Sequence, residues 1–198
     1  MKEEILHKAT DLFLTYGVKS VTMDDIAKEM AISKKTIYNF FSTKTKLVEA
    51  TTNQLFDKIN FKISTICSFK HNPIKELFLV KTLLLEQLKN EETSPQYQLQ
   101  KYYPKIFESI KHKQFNSVNE CISTNLKRGI EEGLYREELD IDLITRLYFI
   151  GMMGIKNVEL FPKEKFDMPY LMYGYLEYHM RAITTEKGLE FLKRMLEK

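Results

Sequence analysis

The stretch Ala27-Lys-Glu-Met-Ala31-Ile32-Ser33-Lys34-Lys35-Thr36-Ile37-Tyr38-Asn39-Phe40 decides how this chain is read. Ala27 is a small residue where two helices would cross, Ala31-Ile32 makes a tight turn, and Ser33 can cap a second helix. Ile32, Ile37 and Phe40 supply the apolar positions that would be buried. This is the spacing of a helix-turn-helix, so the second helix is expected to face a DNA groove. Its first turn offers Ser33, Lys34, Lys35 and Thr36, and Lys44 and Lys46 follow. Residues 33–46 thus carry four lysines and no acid, in a chain whose net charge is only +3. That local charge suits phosphate, and the amide end of the helix adds to it. Hydroxyls at Thr22, Thr36 and Tyr38 can donate to phosphate oxygens, and the Asn39 amide has the geometry to pair with adenine.

Upstream, Ile5, Ala9, Leu12, Phe13 and Tyr16 mark one face of a helix that Gly17 ends. Thr22, followed by Asp24 and Asp25, caps a short helix over about 23–30. Downstream, Leu47, Thr51, Leu55, Ile59 and Ile63 form a four-step stripe on a long connector over about 43–66. Asn72-Pro73 restarts a helix that runs to about Lys89, and Asn90 to Gln96 reads as loop. A short helix over 97–103 gives way at Pro104 to a long one, with Phe107, Ile110, Val118, Ile122, Leu126 and Ile130 inward, ended by Gly133. Helices over about 140–157, 168–183 and 185 to the end complete the chain, the first two opened by aspartate caps.

The fold expected is therefore all-α. With 198 residues the chain can bury a core without disulfides or metals, and 7 glycines with 5 prolines leave little turn chemistry for an all-β fold or a glycine-rich nucleotide loop. Met1 to His7 mixes charges into an amphipathic pattern and lacks the apolar run of a signal peptide, so the mature chain is expected to begin there. No charge-free stretch approaches the length that spans a bilayer, so no membrane partner is expected. Cys67 and Cys121 stand far apart without a CxxC motif, which fits a reducing cytoplasm and structural thiols. The histidines His7, His71, His112 and His179 are scattered. Glu4-x-x-His7 lacks the second pair that a di-iron bundle would need, and no nucleophile motif or P-loop occurs. The expectation is no enzyme, no cofactor and no metal.

Residues about 3–50 resemble the N-terminal DNA-binding domain of TetR-family transcriptional regulators. The likeness rests on Ala9…Phe13…Gly17, on Val21-Thr22-Met23-Asp24-Asp25-Ile26-Ala27, and on Ser33-x-x-Thr36-Ile37-Tyr38-x-x-Phe41-x-x-Lys44-x-x-Leu47. It implies a three-helix DNA-reading head over 1–47 and a helical ligand-binding and dimerisation domain over 48–198. It also implies a homodimer on a palindromic stretch of double-stranded DNA, released by a small molecule. By the same likeness Thr22, Tyr38 and Lys44 would hold phosphates, with Lys34, Lys35, Thr36 and Asn39 at or near base edges. Three positions depart from the family pattern. Ala31 replaces the usual turn glycine, which predicts a slightly altered turn, Lys35 stands where a small residue is common, and Thr45 where an acid is common.

In the later chain Phe78, Tyr103, Phe107 and Tyr148 are candidates to line an apolar pocket with hydroxyl handles, suited to a largely apolar effector. Gly151 and Gly154 sit inside a helix, where each costs about 1 kcal/mol, and close approach of a partner helix would explain them. With Leu147, Ile150, Tyr170, Tyr173, Gly174 and Glu177 they outline a two-fold four-helix interface. The rival reading is a small-molecule-binding helical protein without sequence-specific DNA binding, and DNA binding that weakens with salt separates the two.

Overall fold

Seven helices start where a short polar side chain closes the first turn, at Thr22, Ser33, Thr43, Asn72, Asp140, Asp167 and Thr185, each accepting a backbone N–H three residues on. These caps set most of the architecture of the computed structural model, which describes residues 1–88 and 95–197. Ten α-helices occur among the described residues: α1 Lys2–Tyr16, α2 Met23–Glu29, α3 Lys34–Phe40, α4 Lys44–Ser68, α5 Pro73–Leu88, α6 Pro95–Tyr102, α7 Pro104–Glu131, α8 Ile141–Gly154, α9 Met168–Ile183 and α10 Glu186–Leu196. The bounds follow the sequence-based expectation closely. The loop expected from Asn90 falls mostly outside the described residues, and Pro95 and Gln96 already belong to α6. Among the described residues there is no strand, only an isolated bridge between Tyr135 and Thr184.

The chain packs as two compact units, Met1–Ile59 with Leu88–Gln114, and Asn60–Gln87 with Phe115–Lys198. The boundaries fall within α4 and α7 and at the last residue of α5.

In the first unit α1, α2 and α3 close over Ile5, Ala9, Phe13, Ile26, Ala27 and Ile37, with Leu47 and Val48 from the start of α4 and Ile106 and Ile110 from α7 completing the core. One expectation needs correction. Phe40 is 43% exposed, and it is Phe41 that is buried. Helix α3 stops at Phe40, and Phe41, four residues after Ile37 and so on the same side of the helix, places its ring in the core from an extended backbone. Tyr16, assigned to the inner face of α1, is likewise exposed at the helix end.

The turn between α2 and α3 keeps its form without glycine. Ala31 adopts a left-handed backbone with φ of 51°. The Ile32 N–H bonds the Ala27 carbonyl at 3.0 Å and the Ala31 N–H bonds that of Lys28 at 3.1 Å, the paired bonds that close a helix C-terminus. An L side chain in this conformation costs about 1 kcal/mol. The chain accepts it because two otherwise orphaned carbonyls are satisfied.

The second unit is built around Ile74, Leu77, Leu126, Tyr135, Leu176, Met180 and Ile183. Through that core runs a polar network joining α5 to α7. Glu76, 1% exposed, accepts from Arg128 and from the Asn125 amide, each at 2.8 Å. The Asn125 carbonyl in turn accepts from the buried Tyr135 hydroxyl at 3.0 Å, and Arg128 also donates to the His71 carbonyl. Gly129 gives the Tyr135 ring its place, since a Cβ there would come within 2.0 Å of it. On α9, His179 is buried with its ring 4.8 Å from that of Tyr148. Burial pushes its pKa down to about 4.

Two stability predictions follow from this packing. Ala31→Gly relieves the left-handed strain but loosens the unfolded chain, and should raise unfolding free energy by about 0.5–1 kcal/mol in a urea titration. His179 is neutral when folded yet binds a proton near pH 6.5 when unfolded, so its contribution is complete above that pH and is lost as pH falls toward 4. Of the wild-type loss between pH 7 and pH 4, about 2–3 kcal/mol should disappear in His179→Gln. Parallel pH curves for the two proteins would refute the assignment.

Candidate nucleic-acid interface and effector region

Burial of Ile37 fixes the roll of α3 and leaves Lys34, Lys35, Tyr38 and Asn39 exposed. The N-terminus of α3 is held by Ser33, whose hydroxyl accepts the Thr36 N–H at 3.0 Å and lies 2.8 Å from the Thr36 hydroxyl. Lys34 reaches back to α2 and pairs with Asp24 at 2.6 Å. Both groups are solvent-exposed, so this pair can be exchanged for phosphate with little loss. Lys35 and Asn39 are exposed and point away from the core beside Tyr38.

Thr22 makes the cap expected of it. Its hydroxyl donates to Asp25 Oδ2 at 2.8 Å while accepting the Asp25 N–H, and its own N–H bonds the same carboxylate. These bonds hold the Asp25 carboxyl below the usual carboxylate range, with the Thr22 backbone bond the main cause. The hydroxyl proton is thus engaged in the cap. Lys44, the first residue of α4, donates to the Lys19 carbonyl at 3.2 Å. Its partial burial lowers its pKa, against the pull of Asp25. Lys46 instead pairs with Glu49 at 2.8 Å, which marks it as a surface charge. A feature missed in the sequence is an open groove of about 420 Å³ at the C-terminal end of α3, where Lys2 and Lys46 flank Phe40. Nothing in helical periodicity brings Lys2 to that position.

The four aromatic pocket candidates do not gather in one unit. Phe78 and Tyr148 belong to the second unit, where Phe78 meets Tyr173 edge-on at 6.3 Å. Tyr103 packs against the core of the first unit, and Phe107 is buried within the same unit. Around Tyr148 the structure gathers residues not singled out in the sequence. Tyr175 and His179 stand one turn apart on α9 and both approach its ring, and Thr145 lies on the same face of α8. The Thr145 hydroxyl and His179 Nε2 are buried without a hydrogen-bond partner. Such orphaned groups carry a desolvation cost that a bound polar atom would remove. Their signal in the sequence, an i,i+4 aromatic pair, is identical to that of ordinary core.

The interface candidates separate by environment. Leu147 and Ile150 on α8 and Tyr170 and Tyr173 on α9 are exposed apolar side chains, Ile150 to 64%, and Gly154 and Gly174 face open space. Gly151 differs. A Cβ there would fall within 2.2 Å of the Tyr175 ring, whose hydroxyl donates to the Leu147 and Tyr148 carbonyls. Its small size serves packing of α9 on α8 within the chain. Glu177 is tied to Arg181 at 2.7 Å.

No helix among the described residues is long and apolar enough to cross a membrane. Residues 5–51 match the family described as bacterial regulatory proteins, tetR family. The HTH-type transcriptional repressor KstR2 of Mycobacterium tuberculosis is 25% identical over 146 residues, 72% of this chain and 73% of that protein. The biofilm operon icaADBC negative transcriptional regulator IcaR of Staphylococcus aureus is 37% identical over 60 residues, 30% of this chain and 32% of that one. The fold of a TetR-family transcriptional regulator from Agrobacterium tumefaciens superposes with a TM-score of 0.72 at 16% identity, over 93% of this chain and 97% of that one. Joined to the geometry of α2 and α3, the family match identifies residues 5–51 as a helix-turn-helix head of the tetR-family type, and the likeness to KstR2 and IcaR supports a DNA-binding transcriptional repressor.

Proposed function

We propose that the protein is a ligand-responsive repressor that binds a palindromic operator as a homodimer, inserting α3 into the major groove of each half-site. The observation that carries this reading is the outward row of Lys35, Tyr38 and Asn39 on a capped helix whose opposite side is anchored by Ile37. Lys44 and the helix amides would hold phosphates, Lys34 would leave Asp24 for DNA, and Asn39 and Lys35 would read base edges. Dimerisation is assigned to the apolar face of α8 and α9 formed by Leu147, Ile150, Tyr170 and Tyr173, which a monomer would leave in water.

The effector is assigned to the second unit around Tyr148, Tyr175 and His179, where two aromatic rings approach the unpartnered His179 and the unpartnered Thr145 hydroxyl belongs to the residue one turn before Tyr148 on α8. A largely apolar molecule with one or two hydrogen-bonding groups fits that chemistry. KstR2, one of the similar proteins, is described as a ketosteroid transcriptional regulator. Effector binding would favour a dimer whose heads are wrongly spaced for the operator, acting through α4, by no more than its differential affinity for the two states.

Lys44→Ala should weaken binding to every mixed-sequence duplex and flatten the plot of log affinity against log salt by about 0.9 per protomer contact. An unchanged slope would remove Lys44 from the phosphate contacts. Ile150→Asp should convert the dimer to a monomer in sedimentation while circular dichroism stays helical. A dimer that survives the substitution would place the interface elsewhere.

A further inference from the structure

The two cysteines of the chain are 54 positions apart, yet their sulfur atoms lie 3.2 Å from each other. Cys67 occupies the last turn of α4, and Cys121 lies in α7; both belong to the second unit. Both are free thiols and neither is fully buried. A disulfide needs sulfurs about 2.05 Å apart, so an approach of about 1 Å would join them. We propose that Cys67 and Cys121 form an oxidant-responsive modification site, at which a hydroperoxide generates an intramolecular disulfide that fastens the end of α4 to α7 and alters DNA binding.

The surroundings assign the roles. The hydrogen bond from the Cys121 thiol favours the Cys67 thiolate, and the Arg128 guanidinium favours it further, against burial and Glu76. The same contact and deeper burial hold Cys121 in its thiol form. Cys67 is thus the attacking sulfur. Its thiolate attacks the distal peroxide oxygen, the S–O bond forms as the O–O bond breaks, and the departing alkoxide, or hydroxide from hydrogen peroxide, takes a proton from water, leaving a Cys67 sulfenic acid. The Cys121 sulfur then attacks Cys67. The S–S bond forms as the S–O bond breaks, and the departing hydroxide leaves as water with the Cys121 proton. Two thiols lose two electrons to one peroxide, and a small dithiol reverses the change by exchange. In a reducing compartment the pair would remain open until oxidant arrives. The site acts on α4, whose other end carries Lys44.

The effect on DNA rests on the DNA-reading function, and the test keeps the two apart. Reduced full-length protein is titrated with hydrogen peroxide, and intact mass, alkylatable thiols and affinity for a duplex enriched by the protein are measured on the same samples. The expected product is a monomeric chain lighter by two hydrogen atoms, with both thiols lost and restored by dithiothreitol. Its duplex affinity should differ about fivefold or more from that of the reduced protein. Cys67→Ser should keep Cys121 unmodified and abolish the oxidant effect on binding, while Cys121→Ser should leave a Cys67 sulfenic acid that dimedone traps. Independent oxygen additions, links between chains, or thiols that survive peroxide sufficient to oxidise glutathione would overturn the bridge. A bridge with unchanged affinity would overturn its regulatory role. Reduced protein that binds no duplex would instead sink the DNA-reading function, with the mass result still deciding the bridge.

Discussion

Ile37 lies at the centre of α3 with no exposed surface, in the core that also holds Ala9, Ile26 and Leu47. Its burial leaves a seven-residue helix one rotational setting, because any other would bring a lysine or Asn39 into that core. Ser33 fixes where the helix begins, and Phe41, extended and buried, fixes where it ends. The outward row of polar side chains is thus a consequence of apolar packing on the opposite face. The Ala31 turn sets the crossing of α2 and α3 at a modest conformational cost, offset by the two carbonyls it satisfies.

The second unit uses a costlier device. An ion pair taken out of water gains little over well-packed apolar side chains, but losing one partner strands a buried charge. Glu76 answers this with Arg128 and Asn125, and Tyr135 completes the chain of bonds. The network links α5 to α7 with directional bonds where apolar contacts alone would tolerate slippage. Thr145 and His179 lack such completion, and the effector site proposed around Tyr148 rests on that contrast within one core.

Much of this was legible in the sequence, because helix starts are local chemistry. The side chains of Thr22, Ser33, Asp140, Asp167 and Thr185 cap helices within one turn, and their sequence neighbours suffice to identify them. What stayed illegible depends on tertiary packing. Periodicity cannot say whether a helix stops before or after a given residue, hence the exchange of Phe40 for Phe41. A helical glycine announces that something lies close without naming it, and at Gly151 the neighbour is Tyr175 of the same chain. Thr22 makes the cap its neighbours announce, but the bond from its hydroxyl to the Asp25 carboxylate needed the folded geometry to be seen. The meeting of Cys67 with Cys121 has no local signature at all.

If the exposed face of α3 reads sequence, selection from a pool of random duplexes at near-physiological salt should enrich a two-fold symmetric site whose half-sites lie about one helical turn or slightly more apart. Retention of DNA without any enriched sequence, weakening steeply with salt, would contradict it and leave a helical ligand-binding protein with only a general attraction for phosphate.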